Sequence, residues 1–446
     1  MNGTFWAYQA LGWLGLGAAV PVLALRALRD PRYRSGWSER FGRWGEVPAG
    51  AVWIHGASVG ELRAAEPLVR AVRERGAAVV VTATSPAGRA EAERLAGGTG
   101  RFLPLDLVPL VGRALGRVRP RAVVLVETEL WPGLLWSARR RDVPVAVVNG
   151  RISDRAFPRY LKARRWLKPV LQALGAVQAQ SDEHAERFVA LGVPPDRVST
   201  GGNLKFDLPE PDPADPVASA LRRAAGPERR VVVAGSTHPG EARAVAEAAA
   251  RLEARGIRCG LVVVPRHLER LADAEAELRA AGREPVRWGA LSEPLDDALV
   301  STFASGRAVV VDRYGLLSRL YGGAGCAFIG GTLVPVGGHN PLEALVWGVP
   351  VVFGPHTANI REVRREILDR GLGAQAAGPD ALAAAMARFL AGSGAGRDVG
   401  IRARELFRLH RGATGRAVAL LESLGALPGS GSQGAGSPSR PLSSEL

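Results

Sequence analysis

The chain opens on an apolar run, residues 5–25, within a stretch of 25 residues that has no charged side chain; Arg26, Arg29, Arg32 and Arg34 follow at once. As a helix the run covers about 30 Å, the depth of a bilayer core. It has no basic n-region and no small-residue cleavage site, so it is expected to remain as a membrane anchor (1–28) rather than leave as a signal peptide. A helix lying on the membrane or packed in the core is the alternative. The one-sided basic flank directs the rest of the chain to the cytoplasmic face. Beyond it, short unbroken Val/Ile/Leu/Ala runs alternate with amphipathic stretches. Runs at 51–55, 77–84, 122–127, 143–149 and 176–180 predict one series of strands. A second series comprises 230–234, 260–264, 308–311, 326–329 and 349–353. Segments such as 67–75, 182–191, 241–255 and 268–281 predict the helices between them. Strands apolar at every position and separated by helices belong to parallel sheets covered on both faces.

Between the series, residues 208–217 read LPEPDPADPV, four prolines and three acids in ten positions, which suits neither a helix interior nor a central strand. The stretch is expected to link two α/β domains, 29–207 and 218–428, each doubly wound and facing a common cleft. From residue 429 the chain is rich in Gly, Ser and Pro and is expected to be a disordered tail.

Charge narrows the partners. The formal net charge is +15, carried by arginine, since only Lys162, Lys168 and Lys205 are lysines. Such a balance suits anionic membranes, phosphorylated substrates or nucleic acid. The basic residues are dispersed and no nucleic-acid motif occurs, so nucleic acid is not an expected partner. Residues 155–168, RAFPRYLKARRWLK, read as a basic amphipathic helix, either a solvated face or one resting on anionic lipid. Two cysteines do not form a disulfide framework and suit a reducing compartment.

Candidate chemistry sits where the predicted strands end, the edge at which open α/β sheets bind ligands. No G-x-G-x-x-G follows a predicted strand, and no Walker lysine, D-x-D or C-x-x-C occurs, so no cofactor and no metal site is expected. In Glu127-x-Glu129, strand alternation would send the two carboxylates to opposite faces. Glu61 opens a helix after a strand. It fits a general base for a hydroxyl, and equally the N3 position of a capping box with Ser58. Asn340, Pro341, Leu342 and Glu343 carry the same double reading, nucleotide contact or helix cap, behind a Gly337-Gly338 run that lets backbone approach a ligand. Ser236 to Glu241 offers loop amides to an anion or merely caps its helix. Arg266 and His267 fit a phosphate clamp or a surface turn. Lys205 fits a leaving phosphate, or a salt bridge to Asp207 or Glu210.

Eight motifs occur in order: HGASVGE (55–61), ETELWP (127–132), NGRISDR (149–155), GNLKFD (202–207), STHPGE (236–241), VPRH (264–267), GGTLVPVGGHNPLE (330–343) and GPHTANI (354–360). On these the chain resembles the bacterial 3-deoxy-D-manno-octulosonic acid (Kdo) transferases over almost all of residues 1–425. The resemblance implies a GT-B fold with an N-terminal acceptor domain and a C-terminal donor domain. It implies an inverting, metal-independent transfer of Kdo from CMP-Kdo to the 6′-hydroxyl of the tetraacylated lipid A precursor, at the cytoplasmic face of the inner membrane. It implies Glu61 as general base, with Glu127 and Lys205 stabilising the transition state. It implies a CMP site formed by Arg266 and His267, the turn Tyr314, Gly315 and Leu316, and Asn340, Pro341, Leu342 and Glu343. Leu316 stands where the family often has glutamate, so recognition there would fall to the backbone. Two other readings share the fold: a sugar-nucleotide epimerase, which needs no anchor or lipid acceptor, and a tethered binding protein without chemistry.

Overall fold

The computed structural model describes residues 3–29, 36–226, 229–391 and 394–427. Arg32, Arg34 and the tail from 429 lie outside the described residues. The chain folds into two compact units, one built from residues up to Asp207 together with those from His410 on, the other from Leu208–Leu409.

Each unit is built on a seven-stranded sheet whose pairings are all parallel. In the first, β1 (Val52–His55), β2 (Val79–Ala83), β3 (Gly100–Phe102), β4 (Ala122–Val126), β5 (Val145–Gly150), β6 (Ala176–Ala179) and β7 (Val198–Thr200) take the order β3-β2-β1-β4-β5-β6-β7. In the second, β8 (Arg230–Thr237), β9 (Cys259–Pro265), β10 (Pro285–Arg287), β11 (Ala308–Val310), β12 (Cys326–Ile329), β13 (Val351–Phe353) and β14 (Gly373–Gln375) take the order β10-β11-β9-β8-β12-β13-β14. Alternation along each strand feeds two cores. Val52, Ile54, Val124 and Val126 pack into one apolar cluster and Trp53, Val123 and Leu125 into another, on opposite faces of the sheet. With both faces buried, polar side chains are tolerated only at strand ends.

The sequence pattern anticipates the ten inner strands and misses β3, β7, β10 and β14, which are the four sheet edges. Each has three residues that include a polar residue, Gly or Pro, and β7 is largely open to solvent, so none reads as an apolar run. The basic segment 155–168 forms two short helices, Phe157–Lys162 and Arg164–Leu171, which meet at Ala163 rather than running as one. The second domain, expected to continue to residue 428, ends earlier. The helix Ala413–Ser423 returns to the first unit and buries Ala417, Val418 and Leu421 in the cluster that holds Val52 and Ile54. Exit and return are tied together. The Asp207 carboxylate accepts from the backbone amides of Gly412 (2.9 Å) and Thr414 (2.8 Å), and His410 stacks on Phe206 with ring centroids 4.5 Å apart. Within the expected linker a helix, Pro216–Ala225, already begins. Asp215 accepts from Val217 and Ala218 amides, and Pro216 sits where no amide hydrogen is needed.

The apolar N-terminal run lies in the helix Gly3–Arg29. Its first turns dock on the first unit. Phe5 stacks on Trp136 (5.4 Å), and Gln9 donates to the Asp106 carbonyl (3.1 Å) and accepts from the Val108 amide (2.9 Å). Trp6, Leu11, Trp13 and Leu14 remain exposed. Among the described residues, no helix is long and apolar enough to cross a membrane.

The returning helix is integral to the first core. Leu421→Ala removes a fully buried side chain and is expected to destabilise the first unit by about 2–5 kcal/mol. Urea unfolding should register this as a lower midpoint for the transition reported by Trp53, with the second unit unaffected.

Candidate active site

The carboxyl edge of the first sheet gathers acids around Glu61. Ser58 caps the helix Val59–Ala64. Its hydroxyl accepts from the Glu61 amide (3.2 Å) and donates to Glu61 Oε1 (2.9 Å). Glu61 Oε2 accepts from the Ala57 amide at 2.6 Å, one residue ahead of the cap, so the capping box forms in altered register and orients the carboxylate. Glu61 is pushed up to about 7, first by burial and then by the negative charges of Glu127 and Glu129, against the opposing hydrogen bonds from Ser58 and Ala57.

The alternation argument for Glu127 and Glu129 does not hold. β4 ends at Val126, and Glu127 takes a left-handed φ of +63°, so neither carboxylate obeys the strand pleat and both act on Glu61. Left-handed backbone costs an ordinary residue about 1–2 kcal/mol. Here it accompanies an ion pair, with Lys205 Nζ 3.2 Å from Glu127 Oε1. Lys205 is carried by a short turn after β7 whose Leu204 amide donates to Asn149 Oδ1 (3.0 Å), and Asn149 is itself left-handed at +55°. Asp207, a suggested partner for Lys205, instead caps the returning helix. His55 and Trp131, which lie in the motifs 55–61 and 127–132 without an expected role, complete the cluster. His55 is fully buried, with Nδ1 3.0 Å from Thr82 Oγ1 and Nε2 3.5 Å from Glu129, whose other contact is Trp131 Nε1 at 3.0 Å.

In the second unit the loops after β8, β9 and β12 converge. The amides expected to receive an anion are occupied from within. Fully buried Glu241 accepts from the amides of His238 (2.9 Å), Gly331 (2.7 Å), Thr332 (3.0 Å) and Leu333 (2.9 Å). Glu277 accepts from the Gly240 amide (2.7 Å). These charge-assisted bonds join the loops that follow β8 and β12. The backbones meet so closely that a Cβ on Gly330 would lie 2.2 Å from the Ser236 carbonyl oxygen, and Ser236 is left-handed at +53°. Above the junction His238 and His339 stack nearly parallel, Nε2 to Nε2 at 2.9 Å, so one ring donates and the other accepts. His267 abuts His238 with centroids 5.9 Å apart. Burial, then the charges of His267, Arg266 and Arg270, hold His238 below the usual imidazole range against the raising effect of Glu241.

Of the predicted nucleotide contacts, Arg266 and His267 are exposed at the end of β9, and Arg266 acts electrostatically on Glu343. Burial raises Glu343, which Asn340 Nδ2 reaches at 3.5 Å, while Asn340 Oδ1 accepts from the Leu342 amide at 3.1 Å. Pro341 precedes the helix Leu342–Leu345. The 314–316 turn is joined to the rest differently, through Asp312, which accepts from the Gly289 amide (3.1 Å). Tyr314 is 70% exposed and Gly315 left-handed, whereas Leu316 is only 9% exposed, so its side chain belongs to the core. Among the described residues, no group of three or more His, Cys, Asp or Glu side chains is arranged to hold a metal ion.

Comparison with known proteins agrees with this arrangement. The family described as 3-deoxy-D-manno-octulosonic-acid transferase (kdotransferase) matches residues 35–208. A 3-deoxy-D-manno-octulosonic acid transferase of Bordetella pertussis is 35% identical over 433 residues, 92% of this chain and 97% of the relative. One of Haemophilus influenzae is 31% identical over 408 residues, 90% and 94% of the two chains. The crystal structure of Acinetobacter baumannii MurG, 13% identical, matches with a TM-score of 0.50 over 84% of this chain and all of that one, a likeness of fold. The two doubly wound units thus make a GT-B fold.

The Glu61 shift has a measurable consequence. Its native value of about 7 exceeds the ordinary 4.5, so the folded state holds this proton more tightly than the unfolded chain. Its contribution to stability is therefore present below pH 4.5 and lost as pH rises through about 7. Thermal melts should find Glu61→Gln gaining on the parent chain across that window and the more stable of the two at pH 8. The gain should shrink in a Glu127→Gln background.

Proposed function

The chain belongs to the 3-deoxy-D-manno-octulosonic acid transferase family and is a glycosyltransferase of lipopolysaccharide biosynthesis; on that premise we propose that it transfers Kdo from CMP-Kdo to the 6′-hydroxyl of the tetraacylated lipid A precursor. The observation that carries the reading is Glu61, a carboxylate raised to about 7 by burial and by Glu127 and Glu129, and oriented by Ser58 and Ala57. A base of that strength takes a proton efficiently near neutral pH. The acceptor oxygen forms its bond to the anomeric carbon as the bond from that carbon to the CMP phosphate oxygen breaks. The proton passes to Glu61 and CMP departs with the electron pair. Attack opposite the leaving group inverts the centre. Lys205, held at 3.2 Å from Glu127, is assigned to the charge that develops on the departing phosphate, a task that requires no metal.

For the donor we assign Arg266 and His267, the backbone of Tyr314, Gly315 and Leu316, and Asn340, Pro341, Leu342 and Glu343. The buried Leu316 side chain supports a backbone role for that turn. The cationic cluster of Arg266, His267 and Arg270 beside His238 favours a nucleotide phosphate.

We assign the enzyme to the cytoplasmic face of the inner membrane, held by the helix Gly3–Arg29. One face of its first turns docks on the protein through Phe5 and Gln9, which leaves Trp6, Leu11, Trp13 and Leu14 to enter lipid. Exposed Trp166 and Leu161, among the arginines and lysines of 155–168, support a second contact with anionic headgroups.

The test combines detergent-solubilised protein, CMP-Kdo generated in place and the tetraacyl precursor, with a chelator present and mass spectrometry of the lipid. One or more Kdo increments are expected; an unmodified lipid with both substrates intact would overturn the reading. Glu61→Gln should lower turnover about 10²–10⁴-fold while CMP binding persists. In the parent enzyme turnover should fall as pH drops through about 7, as Glu61 gains its proton. Replacing Leu11 and Leu14 by glutamate should reduce co-flotation with vesicles containing anionic lipid, without loss of fold.

A further inference from the structure

The motif at 354–360 has no role in the site described so far, yet it walls a sizeable cavity at the carboxyl edge of the second sheet. The cavity measures about 460 Å³, within the range of about 300–1,000 Å³ usual for small-ligand sites. It lies between the turn containing Val336 and Gly337, after β12, and the segment from Pro355 to Arg364, after the neighbouring strand β13.

The walls are fastened to each other. The Asn359 amide donates to the Gly337 carbonyl (2.9 Å), and its side chain donates to the carbonyls of Val336 (3.0 Å) and Gly338 (3.4 Å). The His356 amide donates to the Thr332 carbonyl (2.9 Å). Gly337 has φ +105°, and a Cβ there would strike the Asn359 side chain at 2.7 Å, so the junction accepts only glycine without shifting. Thr332, which receives the His356 amide, is itself held by Glu241 (3.0 Å). The cavity is thus pre-formed by the same device that joins the loops after β8 and β12.

Its chemistry is one-sided. His356, Arg361 and Arg364 line it, and among the described side chains no acidic one does. On the helix Arg361–Asp369 and at its cap the other arginines face carboxylates, Arg365 with Asp369 at 3.7 Å and Arg370 with Glu366 at 2.9 Å. Arg364 instead donates to the neutral amide of Gln375 (2.8 Å), and among the described residues Arg361 makes no hydrogen bond or ion pair. Two guanidinium groups with no acidic partner among the described side chains, at one pre-formed cavity, match a carboxylate, which arginine grips through paired N–H donors. The Val336–Gly337 wall leads within three residues to Asn340, assigned above to the nucleotide.

We propose that this cavity is the subsite for the acidic sugar of the donor, with Arg361 and Arg364 binding the sugar carboxylate and His356 and Thr357 facing its hydroxyl groups. The inference rests on the CMP-Kdo reading above. A phosphate of the lipid acceptor shares the anionic chemistry, but the cavity lies wholly in the unit that carries the nucleotide candidates.

The experiment measures, for the full-length parent enzyme, Arg361→Ala, Arg361→Lys and His356→Gln, the KM for CMP-Kdo, the KM for the lipid and the inhibition constant of CMP, which lacks the sugar. Arg361→Ala should raise the KM for CMP-Kdo about ten- to a hundredfold, the loss of one charge-assisted pair, with the CMP constant and the lipid KM unchanged. Arg361→Lys should recover part of that loss and His356→Gln should give a smaller rise. An unchanged KM for CMP-Kdo, an equal rise for CMP, or a rise confined to the lipid would each overturn the subsite. A parent enzyme that transfers no Kdo would sink the donor reading and the subsite with it, whereas parent turnover with an unaffected Arg361→Ala would sink the subsite alone.

Discussion

A parallel strand with both faces buried has only one place for polar chemistry, its ends, and because all strands in each sheet point the same way those ends share one edge. Every feature argued above depends on this constraint. Glu61 follows β1, Glu127 follows β4, Asn149 lies near the end of β5 and Lys205 follows β7. His238, Arg266, Asn340 and His356 follow β8, β9, β12 and β13. The apolar interiors contribute no side chain to catalysis, but their register decides which loops become neighbours.

The two edges handle charge in opposite ways. In the first unit three carboxylates crowd one another, and the repulsion that burial makes worse is what turns Glu61 into a base for neutral pH. In the second unit cations predominate at this edge, while a fully buried carboxylate, Glu241, is engaged by four backbone amides. Glu241 behaves as a built-in anion. It makes rigid the loops that a ligand anion would otherwise have to order, so less entropy is lost when substrate binds.

Strain marks the same places. Glu127, Asn149 and Ser236 adopt left-handed backbone although none is glycine, and each lies where a strand gives way to a functional loop. At Glu127 and Asn149 the strained residue also makes a contact that fixes Lys205 or its turn. Such residues are held by their surroundings and not by local preference.

The sequence alone determined the two βα series and all ten inner strands, because burial on both faces leaves an unbroken apolar run that local pattern reveals. It also determined the identity of Glu61, Lys205 and the Arg266–His267 pair as candidates, since ordered motifs survive without coordinates. Edge strands escaped it because GRF, VST, PVR and GAQ are three-residue segments broken by polar residues, Gly or Pro, and carry no such signature. The return of residues 413–423 to the first unit escaped it too, for the helix is apolar enough to suit either core and only packing chose. The placement of Glu127 and Glu129 on one carboxylate, the Glu241 staple and the gathering of arginines at the 354–364 cavity were likewise decided by tertiary structure. Each depends on groups distant in sequence meeting at a set distance, and Coulomb and hydrogen-bond energies follow distance, not order along the chain.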